Sequence, residues 1–141
     1  MIVVDSNVVA YYWINGPLTG TAWQVWTKDP DWHVPLLWRS EMRSILAGYL
    51  RDGTLSGKQV AQVMTSAEAA FAGREHLVSS ENVLRIVEAT DLSAYDAEFV
   101  ALAEVLDVPF VTADKAVLKA FAARAQGMQR FIEQGEPGEA G

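Results

Sequence analysis

Four carboxylates occupy comparable places along this 141-residue chain. Asp5 directly follows the β-branched run Ile2-Val3-Val4, and Asp114 stands two residues beyond Val111-Thr112. Glu41 falls in the first turn of a helix that follows the apolar run His33–Leu37, and Asp96 in the first turn of one that begins near Ala94. Nothing in the apolar periodicity asks for an acid at any of the four. Carboxylates a few ångströms apart raise one another's pKa, so a shared cleft leaves two solutions. Some acids keep their protons, or hard divalent cations sit among them. Oxygen donors without Cys or His favour magnesium or manganese over zinc or copper. Such an ion makes a bound water nucleophilic and grips a phosphate oxygen, so the implied chemistry is hydrolysis of a phosphodiester.

Each acid also has an ordinary structural role available. Asp5 and Asp114 can cap the helices that follow them. Ser93-Ala94-Tyr95-Asp96 is similar to a capping box, with Asp where Glu or Gln is usual. Glu41 suits the positive end of its helix dipole. Capping does not by itself require four acids at equivalent topological positions.

The elements that must position them follow from the hydrophobic pattern. Continuous apolar runs predict strands at Ile2–Val4, His33–Leu37 and Pro109–Thr112, with a short one at His76–Val78. Pro35 suggests an edge or irregular place for the second. Helices are expected over Val8–Ile14, Ala22–Thr27, Trp38–Arg51, Lys58–Phe71, Glu81–Ala89, Ala94–Leu106 and Lys115–Ala125, several closed by Gly or Asp-Gly. Strand alternating with helix predicts a three-layer α/β domain with a mainly parallel sheet. In such a sheet, sites form outside the carboxyl ends of the strands where strand order reverses, and all four acids would face that edge.

Composition narrows the classes. The chain has no cysteine and two histidines, which excludes disulfide scaffolds, thiol catalysis, thiolate zinc sites and histidine-rich metal sites. A net charge of −7 argues against a passive basic surface for nucleic acid. Met1 leads straight into Ile2-Val3-Val4-Asp5, which predicts no secretory leader, and no apolar run approaches the roughly 20 residues of a membrane span. Residues 1–132 read as one domain and 133–141 as a flexible acidic tail.

With these residues in place, the sequence resembles a PIN domain, and within that superfamily a VapC-type toxin of bacterial toxin–antitoxin pairs. Ile2-Val3-Val4-Asp5-Ser6-Asn7-Val8 is similar to the family's first motif. Pro35-Leu36-Leu37-Trp38-Arg39-Ser40-Glu41-Met42-Arg43-Ser44-Ile45-Leu46 resembles the second, the run from Leu92 to Ala103 the third, and Pro109-Phe110-Val111-Thr112-Ala113-Asp114 the fourth. The resemblance extends from Met1 to about Ala123. It implies a magnesium- or manganese-dependent endoribonuclease, cytoplasmic, usually a homodimer, and held inactive by a cognate antitoxin. It further implies that Asp5, Glu41, Asp96 and Asp114 form the catalytic, metal-binding cluster, with Glu41 as ligand or as base. Ser6, Asn7 and Thr112 offer short polar groups that would orient those acids. One departure stands out: after Asp114 such domains often add a strand, whereas 125–132 shows no clear strand pattern, so the sheet is expected to close differently or to be one strand short.

Other residues are weighed beside these. Arg39, Arg43 and Lys115 lie close in sequence to site acids and could meet RNA phosphates, although Arg39, two residues before Glu41, points elsewhere on a helix. Glu98 falls on another side of its helix from Asp96 and is left out of the cluster. His33 and His76 read as structural. Tyr11, Tyr12, Trp13, Trp23, Trp26 and Trp32 crowd the first quarter of the chain, enough rings to predict a core contribution and a surface patch together. A receiver-like module, a phosphatase of the haloacid dehalogenase type and a catalytically inactive PIN scaffold are the competing functions. The first two want a second acid near Asp5, where Ser6 and Asn7 stand.

Overall fold

The computed structural model describes residues 1–134. Five short strands form one parallel sheet in the order β3-β2-β1-β4-β5: β1 Ile2–Val4, β2 Trp32–Pro35, β3 Glu75–His76, β4 Phe110–Val111 and β5 Ala125–Gln126. The chain steps outward from β1 through β2 to β3, then returns to β4 on the other side of β1 and continues to β5. Strand order therefore reverses at β1, and the crevice of this doubly wound sheet opens between the carboxyl ends of β1 and β4.

The helices are α1 Ser6–Trp13, α2 Thr19–Lys28, α3 Leu37–Arg51, α4 Gly57–Ala70, α5 Ser80–Ala89, α6 Ala94–Leu106, α7 Lys115–Ala120 and α8 Met128–Glu133. Right-handed crossovers put α1–α4 on one face and α5–α7 on the other, because the direction of travel reverses after β3. The packing agrees: α1 meets α2, α3 and α4, α8 joins α2, and α5 pairs with α6. This is the three-layer α/β/α arrangement. Val3, Val4, Val34 and Val111 are fully buried in its middle layer. Across β1, β2 and β4 lies α6, whose Ala97, Ala101 and Ala103 are small enough to let the helix approach the sheet.

Three expectations are corrected. Pro35 does not mark an edge, since β2 lies between β1 and β3 and Pro35 is buried. It is tolerated because the amides of Val34 and Leu36 are the ones that donate to β3 (to Arg74 and His76 carbonyls). The absent Pro35 amide would point towards β1, whose register with β2 ends at Val3–His33. The sheet is not a strand short: Phe110 and Thr112 donate to the carbonyls of Arg124 and Gln126, making β5. The helix expected to reach Ala125 accordingly stops at Ala120. Of the tail expected over 133–141, Glu133 ends α8, and 135–141 lie outside the described residues.

The aromatic residues divide between interior and surface. Tyr12, Trp13, Trp26 and Trp32 form one cluster with ring centroids 4.3 to 6.4 Å apart, Phe71 joins through Trp13, and Trp32 is fully buried. Trp23 is 55% exposed and its indole N–H donates to the Tyr12 carbonyl at 3.2 Å. Among the described residues no helix is long and apolar enough to cross a membrane.

Candidate active site

Asp5 is held by both strands that flank the crevice. It caps α1, its Oδ1 accepting from the Val8 amide at 2.9 Å. Its Oδ2 accepts from the Thr112 hydroxyl and from the Ala113 amide at 3.0 Å, both just past β4. Three donors on about four acceptor sites leave Oδ1 with one lone-pair direction free. Thr112 is fully buried and also accepts from the Asp114 amide at 3.0 Å, so a single hydroxyl ties Asp5 to the turn that carries Asp114.

Asp114 caps α7 through the Val117 amide at 3.0 Å. On α6, Ser93 caps by accepting from the Asp96 amide at 3.1 Å, and the return bond of a full capping box is not made. That leaves the Asp96 carboxylate turned to the crevice. Glu41, one turn into α3, accepts from the Ser6 hydroxyl at 2.8 Å. Capping and site formation are thus compatible, because a cap uses one oxygen and the helix starts coincide with the carboxyl edge of the sheet.

All four acids line one cleft of about 290 Å³, together with Ser6, Asn7 and Thr112. Its apolar wall includes Ile45, Phe99 and Phe110. Among the described residues no Lys, Arg or His lines it. Burial pushes the Asp5 carboxyl above the usual carboxylate range, against the pull of its three hydrogen bonds, and the Asp114 charge adds to the rise. Glu41 is raised by burial and then by the charges of Asp96, Asp5 and Glu98, with Ser6 opposing. Asp96 is raised by burial and by Asp114, with Ser93 opposing.

Acids that burial and mutual repulsion resist ionising, with no cation of the chain among them, suit a hard divalent ion with oxygen ligands. Among the described residues no three acidic or histidine side chains are spaced to enclose one ion by themselves. Magnesium keeps several of its waters and takes only one or two carboxylates directly, so the residues fit that kind of ion.

Two residues missing from the sequence-based set belong to this neighbourhood. Ser44 lines the cleft three residues after Glu41, a spacing that puts both on one helix face. Glu98, assigned away from the cluster, lies on the far side of its helix from Asp96 but close enough to Glu41 to raise its pKa. Arg39 is not available to a phosphate: its Nε and Nη2 grip the two oxygens of Glu75 at 2.6 and 2.7 Å, with Glu68 at 3.3 Å. Arg43 and Lys115 are exposed and do not line the cleft. The histidines link β2 to the edge strand β3, His33 Nδ1 lying 2.8 Å from His76 Nε2 and His33 Nε2 2.8 Å from Asp31.

A doubly wound α/β/α domain with an acidic crevice at its topological switch point is the class that this geometry defines. The family model of the PIN domain matches residues 2–123, and the chain belongs to the PIN domain family. Among solved structures it is similar to the crystal structure of FitAcB from Neisseria gonorrhoeae, with a TM-score of 0.67 and 19% identity over 92% of this chain and 99% of that one. It is also similar to FitAB bound to an IR36 DNA fragment, with a TM-score of 0.68 and 17% identity over 96% and 99%. At such identities the likeness speaks for the fold. A comparison with curated proteins found no match.

Proposed function

We propose that this PIN domain is a magnesium- or manganese-dependent endoribonuclease that hydrolyses RNA phosphodiester bonds as the toxin of a type II toxin–antitoxin pair. PIN domains are generally nucleases that use divalent metals, and the chain's membership of that family supports the reading. One observation carries it: four carboxylates arrive from four separate elements in one cleft that no basic side chain of the described residues lines. Asp5, Asp96, Asp114 and Glu41 would hold the ion, directly or through water. The chemistry that an ion held there would supply is a more acidic bound water and a polarised phosphoryl oxygen.

The chain's own groups do the rest. Thr112 and Ala113 fix Asp5 on one oxygen, so its other oxygen presents the same geometry at every turnover. Glu41, with its raised pKa and its tether to Ser6, either shares in holding the ion or takes the proton of the attacking water. Asn7 offers an amide beside them. A cytoplasmic location, a homodimer and a cognate antitoxin belong to the same reading. That FitAB, of the same fold, has been seen on a DNA fragment supports work within a larger nucleic-acid-associated assembly.

The test is cleavage of labelled structured RNAs with magnesium, with manganese and with chelator, by the wild type and by Asp5→Asn and Asp96→Asn. Chelator-sensitive cleavage that falls roughly 100-fold or more in both variants is expected. Equal cleavage by all three proteins overturns the proposal, and no cleavage with intact metal binding makes the domain an inactive scaffold. A plot of log kcat against pH for Glu41→Gln separates base from ligand, because loss of a base removes the acidic limb.

A further inference from the structure

β3 is two residues long, lies at the edge of the sheet and is joined to β2 by side chains as well as by the ladder. The amides of Val34 and Leu36 donate to the carbonyls of Arg74 and His76 at 3.1 and 3.0 Å. Beside them His33 Nδ1 faces His76 Nε2 at 2.8 Å, and the other ring nitrogen of His33 meets Asp31 at 2.8 Å. Arg74 donates to the same Asp31 oxygen at 2.9 Å, so one line of contacts runs from Arg74 through Asp31 and His33 to His76. Trp32 turns into the aromatic cluster of α1 and α2, so His33, the next residue, points to the opposite face of the sheet, which α5 and α6 cover. There His33 is buried and His76 half-buried.

This line of contacts has room for few protons. With both rings neutral, His33 donates from Nε2 to Asp31 and accepts at Nδ1 from His76. One added proton keeps both bonds, the cationic His33 donating on either side and His76 accepting. A second proton leaves two N–H groups face to face, and the bond gives way to repulsion between like charges. Burial, and then the charge of His33, lower the pKa of His76 below the ordinary histidine value, so the second proton arrives in acid and not at neutrality. The other charged groups nearby leave that count unchanged. The amino terminus acts on Asp31 and pairs with Asp29 at 2.7 Å. Glu81, Arg85, Glu88, Asp96, Glu98 and Glu104 of α5 and α6 add nothing to the shift of His76. An apolar pair at these places would join the strands at any pH, whereas two imidazoles make the joint depend on protons.

The start of α3 hangs on β3. On the other face of the strand Glu75 accepts from Trp38 Nε1 at 2.7 Å and grips Arg39 at 2.6 and 2.7 Å, while Arg39 also reaches Glu68 of α4 at 3.3 Å. Trp38 and Arg39 belong to the first turn of α3, and Glu41 just beyond them lines the acidic cleft. We propose that the His33–His76 pair is an acid-operated latch, which when closed clamps β3 and, through Glu75, the first turn of α3, and when doubly protonated lets both loosen, so that Glu41 loses its fixed place. The device goes beyond the nuclease reading and stands whether or not the cleft cuts RNA. The folded pKa of His76 lies below its unfolded one. The stability that the latch contributes is therefore full above the unfolded value and is lost as pH falls towards the folded one.

The test is hydrogen exchange of the full chain in EDTA, read by NMR between about pH 7.5 and about pH 5 and normalised to the intrinsic rate at each pH. The amides of Val34 and Leu36, and those of the first turn of α3, are expected to open more readily in acid. The change should approach about tenfold per pH unit, because one proton is taken up. Val3 and Phe110, which donate to the carbonyls of Pro109 and Arg124, should not follow them. The carboxyls of the cleft titrate in acid as well, so His76→Gln supplies the comparison. It keeps those acids, its amide can donate to His33 or accept from it, and the acid opening of Val34 and Leu36 is expected to disappear. The imidazole signals of the wild type need no variant: His76 should titrate below the ordinary histidine range, in step with the opening.

Opening that persists unchanged in His76→Gln, or that spreads equally over β1 and β4, overturns the latch. So does a His76 that is protonated while Val34 and Leu36 stay closed. Opening confined to β3, with the first turn of α3 unmoved, removes the link to Glu41 and refutes the device as proposed. RNA cleavage plays no part in these readouts, so the latch and the nuclease reading fail separately.

Discussion

Thr112→Val is the substitution whose cost can be worked out most directly. Valine keeps the shape of threonine, so the change removes a hydroxyl and opens no cavity. The hydroxyl is fully buried, donates to Asp5 Oδ2 and accepts from the Asp114 amide at 3.0 Å. Losing a hydrogen bond to a charged group costs about 1.5–3 kcal/mol, and leaving a buried amide unpaired costs about 1–3 kcal/mol. The two share one atom, so the sum is expected near ~3–4 kcal/mol, a large part of the roughly 5–15 kcal/mol that stabilises a domain. For a chain of this size that lowers Tm by roughly 10–15 °C.

The cost also depends on pH. Burial raises the Asp5 carboxyl above its unfolded value, and the Thr112 hydroxyl opposes that rise by favouring the ionised form. In Thr112→Val the carboxyl therefore moves higher still. The part of the loss that comes from this bond is fully present where Asp5 is ionised, and it shrinks as pH falls through the folded pKa. Urea unfolding in EDTA from neutral pH down to the carboxylate range measures both quantities, with Thr112→Ser as the reference that keeps the hydroxyl. If Val cost no more than Ser, or if the difference did not shrink in acid, the hydroxyl would not be the link between Asp5 and the Asp114 turn.

Glu41→Gln and Asp96→Asn should each raise the Tm of the metal-free protein at neutral pH, because ionising these carboxyls in the fold is opposed by burial and by their neighbours' charges. Their folded pKa values are raised, so the advantage is present above them and vanishes below the unfolded value; thermal scans across that range check the sign. Gly48→Ala, at an exposed helical position with open space around the added methyl, should stabilise by about 0.5–1 kcal/mol; an unchanged or lower Cm in urea would mean that the helix is not regular there. Arg39→Met should lower Tm by releasing Glu75 and Glu68 while kcat/KM for RNA stays at the wild-type value. A large kinetic loss with the fold intact would return Arg39 to the substrate.

How far the molecule can be read from its residues depends on the range of the interaction. The helix over Ala94–Leu106 matches its expected span because Ser93 caps its start and Asp107, in the left-handed conformation, closes its end, both local facts. The β1 run Ile2-Val3-Val4 is legible because a strand covered on two faces needs nothing but β-branched bulk. By contrast, β5 is only Ala125 and Gln126, with no strand propensity to announce it. It exists because β4 presents an unpaired edge and the turn after Ala120 brings those two residues alongside. Pro35 misleads for a related reason: which side of a strand lacks its amide is a property of the neighbours.

The site divides along the same line. Acid at 5, 41, 96 and 114, each beside a strand end or helix start, is written in the chain itself, since caps and strand termini are local and a parallel sheet gathers such places at one edge. Whether Arg39 faces phosphate or Glu75 depends on where β3 lies relative to α3, and the closeness of Glu98 to Glu41 on where α6 lies relative to α3. The role of the buried Thr112 hydroxyl also needed the packed molecule. Periodicity fixes the direction of a side chain from its own element, but only the packing of elements against one another determines what it meets.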